Sequence, residues 1–189
     1  MTILGIDPGH RNGAAVVLHA DGRFVALLGW VKRAAYWDIE SVCTLSGKRL
    51  RVTEFGALCD EVRMLGALHG VTHAAVEGLA YGRRQGEGRS TKSIVTLAEA
   101  AGALASAAEQ ATSRRALRPL CAAWRKKVLK LTPQTPAESA KAAAMAAVGG
   151  PPFRRRLSVR LACTLPERWA AIDHAAEAAC IAEFARSSR

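Results

Sequence analysis

A mixed α/β sandwich, folded as a single domain over residues 1–189, is what this sequence predicts, and three observations carry the prediction. Half of the 189 residues are hydrophobic, enough to bury one good core but short for two domains. Apolar runs punctuated by turn residues open the chain, and helical patterns then alternate with further apolar runs. Only 5% of the residues are aromatic while the later segments are rich in alanine, a composition that suits helices packed closely on a sheet.

In chain order, residues 2–7 are a short apolar run stopped by Pro8-Gly9, and residues 13–20 are a second, stopped by the hairpin signal Asp21-Gly22. Residues 24–29 return as a third strand, so the economical arrangement is an antiparallel meander. Between residues 54 and 69, Phe55, Leu58, Val62, Leu65 and Leu68 recur at helical spacing. Residues 71–77 are nearly all apolar up to Glu77, as in a buried strand, so this helix crosses over to a strand parallel to the first. Residues 78–92 hold Gly82, Gly86 and Gly88 among Arg83, Arg84, Arg89 and Lys92, which predicts a charged, mobile loop. A helix over 93–110, a fifth strand over 117–123 and an alanine-rich helix over 135–148, opened by Pro136, follow. Gly149-Gly150-Pro151-Pro152 breaks the chain, residues 153–169 are basic and fit no element, and residues 170–186 make a final helix with an apolar face.

Charge narrows the partner. Lys and Arg number 27 against 16 Asp and Glu, a net charge of +11, and a folded domain this basic usually meets a polyanion, with nucleic acid ahead of an anionic membrane surface. No run approaches the roughly 18–20 apolar residues that cross a bilayer. The opening Met-Thr-Ile-Leu-Gly-Ile-Asp lacks the charged and apolar regions of a signal peptide, so an intracellular protein, cytoplasmic or nucleoid-associated, is expected. Cys43, Cys59, Cys121, Cys163 and Cys180 are odd in number and widely spaced, which fits reduced, mostly buried thiols rather than a zinc site.

The candidate chemistry lies in acidic groups. Asp7 ends an apolar strand at Pro8-Gly9, and Glu77 stands in the same relation to its own strand. A strand-end Asp often serves only to form a turn. A charge at the end of a buried strand, however, is unfavourable unless it is paired or binds a cation, and strand ends of open sheets are where ligands bind. In the last helix Asp173, His174 and Glu177 fall within one turn among small and apolar residues, unlike an ordinary solvated face. The alternative for Asp173 is a favourable charge at a helix N-terminus. Carboxylates and an imidazole without cysteine suit hard divalent cations such as Mg²⁺ or Mn²⁺, and two of them would form the arrangement that hydrolyses phosphodiesters in line.

These residues resemble a family. Ile6-Asp7-Pro8-Gly9 with Gly13, then Val76-Glu77, then His174-x-x-Glu177 in the last helix look like RuvC-type Holliday junction resolvases. The resemblance implies an RNase H-like fold with a five-stranded mixed sheet flanked by helices, a homodimer, and cleavage of four-way DNA junctions by paired symmetric nicks with two Mg²⁺ or Mn²⁺ per site. Asp7 and Glu77 match the family's first two acidic positions, and Glu177 matches the last, where the family usually has Asp. His174 matches a position that is Asp or His, Asp173 is an additional carboxylate, and which of the two faces the metals is left open. Tyr81 falls where these enzymes place an aromatic near the junction centre, able to stack on an unpaired base or to fold back onto the body.

Arg125, Lys126 and Lys127 resemble the family's basic stretch that contacts the DNA backbone, and Arg114, Arg115, Arg118 and Lys130 flank them with no acidic residue between. Without the acidic constellation such a run would read as a solvated face. Tyr81, Arg83, Arg84, Arg89 and Lys92 complete the expected DNA-binding set, and Arg154-Arg155-Arg156 either extends that track or belongs to a local insertion. Sugar-kinase and actin-like ATPases share the opening motif but need a second lobe and a second phosphate loop, for which the chain is too short. The competing functions on the same fold are a flap, branched-DNA or RNA/DNA-hybrid nuclease and a non-catalytic DNA-binding module.

Overall fold

The computed structural model describes residues 1–43, 47–79, 91–147 and 172–188. Three of its strands, β1 (Thr2–Asp7), β2 (Asn12–His19) and β3 (Phe24–Lys32), form the predicted meander, with the turn at Gly22 taking a positive φ of 79°. The antiparallel run then continues through β4 (Trp37–Cys43) and β5 (Gly47–Val52). Helix α1 (Phe55–Leu68) crosses over to β6 (His73–Val76), which lies parallel to β1. The sheet therefore has six strands in the order β5-β4-β3-β2-β1-β6, one more than expected.

The count differs for two reasons. Pairing of β4 with β5 adds a hairpin at one edge, where Trp37, Ile39 and Val52 turn inward and Asp38 and Glu40 face Arg51 and Arg49 across the ladder. At the other edge the predicted strand over 117–123 shrinks to two isolated parallel bridges, Ala75 to Leu117 and Gly78 to Leu120. Pro119 has no N–H to give to a ladder, and the chain turns at once into α3 (Cys121–Leu129).

Four further helices complete the described residues: α2 (Thr91–Thr112), α3, α4 (Ala137–Ala147) and α5 (Ile172–Arg186). Helix α2 begins at Thr91, so Thr91 and Lys92 belong to it rather than to the loop assigned to residues 78–92. Helices α1 and α2 pack together on one face of the sheet, and α5 lies across β1 and β2 on the other, with α3 and α4 outside it. Residues 175–182 of α5 are buried all round, so this helix has no solvent side over that stretch and the single apolar face expected of it is only part of its packing. Among the described residues, no helix is long and apolar enough to cross a membrane.

Candidate active site

Alternation along the strands sets the site. Ile3, Gly5 and Asp7 point to the α5 side of β1, and Ala75 and Glu77 point to the same side of β6 and its extension. The Glu77 amide donates to the Ile6 carbonyl at 3.0 Å and so prolongs the parallel ladder by one residue. Both carboxylates thus stand at one edge and on one face of the sheet.

Helix α5 brings the remaining groups over that edge. Gly5 is what lets it come so close: a Cβ there would lie 2.7 Å from the Ala182 Cβ and would collide with the Ala178 carbonyl. His174, Ala178 and Ala182 fall at intervals of four and form one stripe along α5. With Ala178 and Ala182 seated on Gly5, the next position up that stripe sets His174 against Asp7, two residues further along β1. The His174 Nδ1 is 2.5 Å from Asp7 Oδ2, and since a carboxylate only accepts, Nδ1 carries the proton. Single ligand atoms of Asp7, His174 and Glu177 all lie within 4.8 Å of one another. Asp173, one residue before His174, is turned by about 100° around the helix and instead accepts from Lys141 Nζ on α4 at 2.7 Å.

The loop after Asp7 is held from the meander. Trp30 and Trp37 donate their indole N–H groups to the carbonyls of Gly9 and His10, at 2.8 and 3.0 Å. Gly13 is needed here as well, because a Cβ would meet the Trp30 ring and, at 2.6 Å, the Asp7 carbonyl. Across the site, α3 reaches in with three side chains. Trp124 donates to Glu77 Oε1 at 3.0 Å, the Cys121 thiol lies beside Glu77, and Arg125 Nη2 donates to Glu177 Oε1 at 2.8 Å. The sequence alone points to no hydrogen-bond partner for Trp30, Trp37, Trp124 or Lys141, and Trp124 stands out in it only as the first residue of the basic stretch 124–128. A tryptophan carries one donor that needs a partner when buried, but the identity of that partner is written in the fold rather than in neighbouring residues.

Electrostatics mark the centre as short of positive charge. Burial pushes the Glu77 carboxyl up to about 7, and the charge of Asp7 adds to this. Burial also raises Glu177, again with Asp7 contributing, against the opposing pull of Arg125. For His174 burial acts downward, yet the bond to and charge of Asp7 outweigh it and the imidazole is raised. Burial pushes the Cys121 thiol up to about 12, so it stands beside Glu77 as a neutral S–H group. Oxygen donors with one imidazole, crowded enough to resist ionisation together, fit a hard divalent cation.

The expected DNA-contacting residues divide. Arg125 turns inward to Glu177, Lys127 is tied by hydrogen bonds of 2.8 and 2.9 Å to Ser187 and Ser188 beyond α5, and Lys126 is exposed. Arg114, Arg115, Arg118 and Lys130 are also exposed. Tyr81, Arg83, Arg84, Arg89, the chain break at 149–152 and the basic segment 153–169 lie outside the described residues, as do Cys163 and most of the loop expected over 78–92. Cys59, Cys121 and Cys180 are free thiols, but only Cys180 is fully buried.

A six-stranded mixed sheet between helices, with acidic groups at the ends of the parallel pair β1 and β6 at its edge, is an RNase H-like fold. Among solved structures it is similar to Thermus thermophilus RuvC, with a TM-score of 0.50 and 17% identity over 100% of this chain and 97% of that one. It is likewise similar to T. thermophilus RuvC in complex with Holliday junction substrate, with a TM-score of 0.53 and 17% identity over 100% of this chain and 96% of that one. What is shared at that identity is the fold. No family model matches the sequence, and no curated protein sequence does.

Proposed function

We propose that this chain is a metal-dependent, structure-selective endodeoxyribonuclease that resolves four-way DNA junctions by paired symmetric nicks. The observation that carries the reading is the convergence of Asp7, His174 and Glu177 within 4.8 Å, beside Glu77, at the edge of an RNase H-like sheet. Asp7, Glu77, His174 and Glu177 would hold two Mg²⁺ or Mn²⁺ ions, and Asp173 would serve through its ion pair with Lys141. When bound, such ions activate a water for in-line attack on a phosphodiester and stabilise the leaving oxygen.

The chain's own residues do the rest. Asp7, shared between the sheet and α5, sets the centre; His174 keeps its Nδ1 proton on Asp7 and presents its other ring nitrogen away from that bond. Arg125, on Glu177, supplies positive charge to the acidic cluster. Lys126 with the exposed arginines over 114–118 provides a surface for the DNA backbone, joined in this reading by Lys92 and by Tyr81, Arg83, Arg84 and Arg89. Paired symmetric nicks need two sites related by a twofold axis, so the active form is a homodimer. Its place of action is with the DNA, in the cytoplasm or nucleoid.

The test is cleavage of a labelled synthetic four-way junction beside duplex, flap, single strand and RNA/DNA hybrid, with Mg²⁺ or Mn²⁺. Wild type should nick the junction symmetrically. Asp7→Asn removes a ligand from a centre whose ions contribute several kcal/mol. At about 1.4 kcal/mol per tenfold it should therefore cut roughly a hundred- to a thousand-fold more slowly while still binding the junction. Preference for flaps or hybrids would move the activity to another nuclease of this fold, and tight binding without cleavage of any substrate would indicate a non-catalytic module.

A further inference from the structure

The geometry points to Trp124 as a positioning residue for Glu77, a role that rests on the metal-centre reading above and specifies how one of its carboxylates is held. Trp124 is completely buried, and its single polar atom, Nε1, donates to Glu77 Oε1 at 3.0 Å. The indole is held by its packing as well. Its ring belongs to the core cluster formed with α5, and the Arg125 guanidinium lies 5.3 Å from the ring centre. One turn earlier on the same helix, Cys121 sets its thiol on the same side, beside Glu77, so the Trp124 N–H is the donor that fixes the carboxylate and the thiol is its neutral neighbour.

This grip has a physical purpose. Glu77 sits one residue beyond β6, at the edge of the sheet that the neighbouring segment closes only with isolated bridges and backbone bonds from Val76 and Gly78. A glutamate has three side-chain torsions, and without fixed partners it would lose rotamer freedom each time it bound an ion. A neutral donor aligns the carboxylate without supplying a cation that would compete with the metal. An outer-shell partner of this kind is typically worth about 10–100-fold in metal affinity. The start of α3 inside the predicted fifth strand, residues 117–123, therefore has a consequence for the site: had the strand run on through 124, its side chains would alternate across the sheet, whereas a helix sets Cys121 and Trp124 on one face toward Glu77.

The test is Trp124→Phe, which deletes the N–H donor and keeps most of the ring. Mn²⁺ binding, followed by the electron paramagnetic resonance signal of the free ion, should weaken about 10–100-fold relative to wild type, with circular dichroism showing the native fold. On a cleavable substrate the Mn²⁺ concentration for half-maximal rate should rise by a similar factor, while the rate at saturating Mn²⁺ recovers toward wild type. Folded Trp124→Phe with Mn²⁺ affinity within about twofold of wild type would overturn the assignment and leave the metal centre standing. Wild type that binds no Mn²⁺ would overturn the metal centre and the assignment together. Should Trp124→Phe fail to fold, the wild-type chain answers through its tryptophan side-chain ¹⁵N–¹H resonances, with Trp124 assigned by elimination using single Phe variants of the other three tryptophans. That resonance should move as Mg²⁺ is added, and an unmoved resonance with Mg²⁺ bound would overturn the assignment.

Discussion

The two faces of the sheet are built on different principles. The face under α1 and α2 is filled by large side chains, among them Leu4, Ile6, Leu28, Trp30, Leu58, Val62 and Leu104. The face under α5 is filled largely by alanines, with Ala175, Ala176, Ala178, Ala179, Ala182 and Ala185 on the helix and Gly5 beneath them. Large side chains hold elements apart at whatever distance their volume sets. Small ones let backbones approach, which on the α5 face brings His174 and Glu177 onto the carboxylate of Asp7. One face supplies most of the apolar bulk, and the other sets the distances the candidate chemistry depends on.

The two faces should therefore fail differently. Leu104→Ala, on the bulky face, should lower stability by about 2–5 kcal/mol through lost burial and the cavity left behind. Urea melts would measure this, and the rate of junction cleavage per folded molecule should be unchanged. Gly5→Ala, on the close-packed face, should lower stability by about 1–3 kcal/mol but reduce cleavage out of proportion, because the added Cβ pushes α5 and with it His174 and Glu177 away from Asp7. If Gly5→Ala cuts as well as wild type, the close approach is packing alone.

The smallest effect sharpens the comparison through pH. In EDTA the folded chain holds the Glu77 proton up to about pH 7, whereas an ordinary glutamate releases it near 4.5, so the folded state binds more protons between those values. Stability should accordingly fall as pH rises through that window. His174 acts in the same direction: its raised pKa stabilises fully below 6.5, and this is lost as pH rises through the folded value. The Tm in EDTA should drop by on the order of a few degrees from pH 5 to 8, and Glu77→Gln should flatten the curve. Because ligands must be deprotonated, stabilisation by added Mg²⁺ should grow over the same range.

Much of the architecture was legible. The meander, α1, β6, α2, α4 and α5 follow from apolar period and from Gly and Pro punctuation. The β4–β5 hairpin was not assigned, although Trp37, Ile39, Leu50 and Val52 alternate with Asp38, Glu40, Arg49 and Arg51, because that pattern becomes a strand pair only through pairing across the turn. Residues 117–123 read as a strand because the run is short and mainly apolar. Tertiary context overrode it, since Pro119 weakens the ladder and Trp124 finds its hydrogen-bond partner only from a helix.

The sequence by itself determined which groups stand at the strand ends and in the last helix, because a charge that ends an apolar strand and an acidic pair within one helical turn are local patterns. Whether Asp173 or His174 turns toward Asp7 was decided only by tertiary structure. Adjacent residues on a helix point about 100° apart, and the roll of α5 that selects between them comes from the seating of Ala178 and Ala182 on Gly5, a contact between segments more than 170 residues apart in the chain.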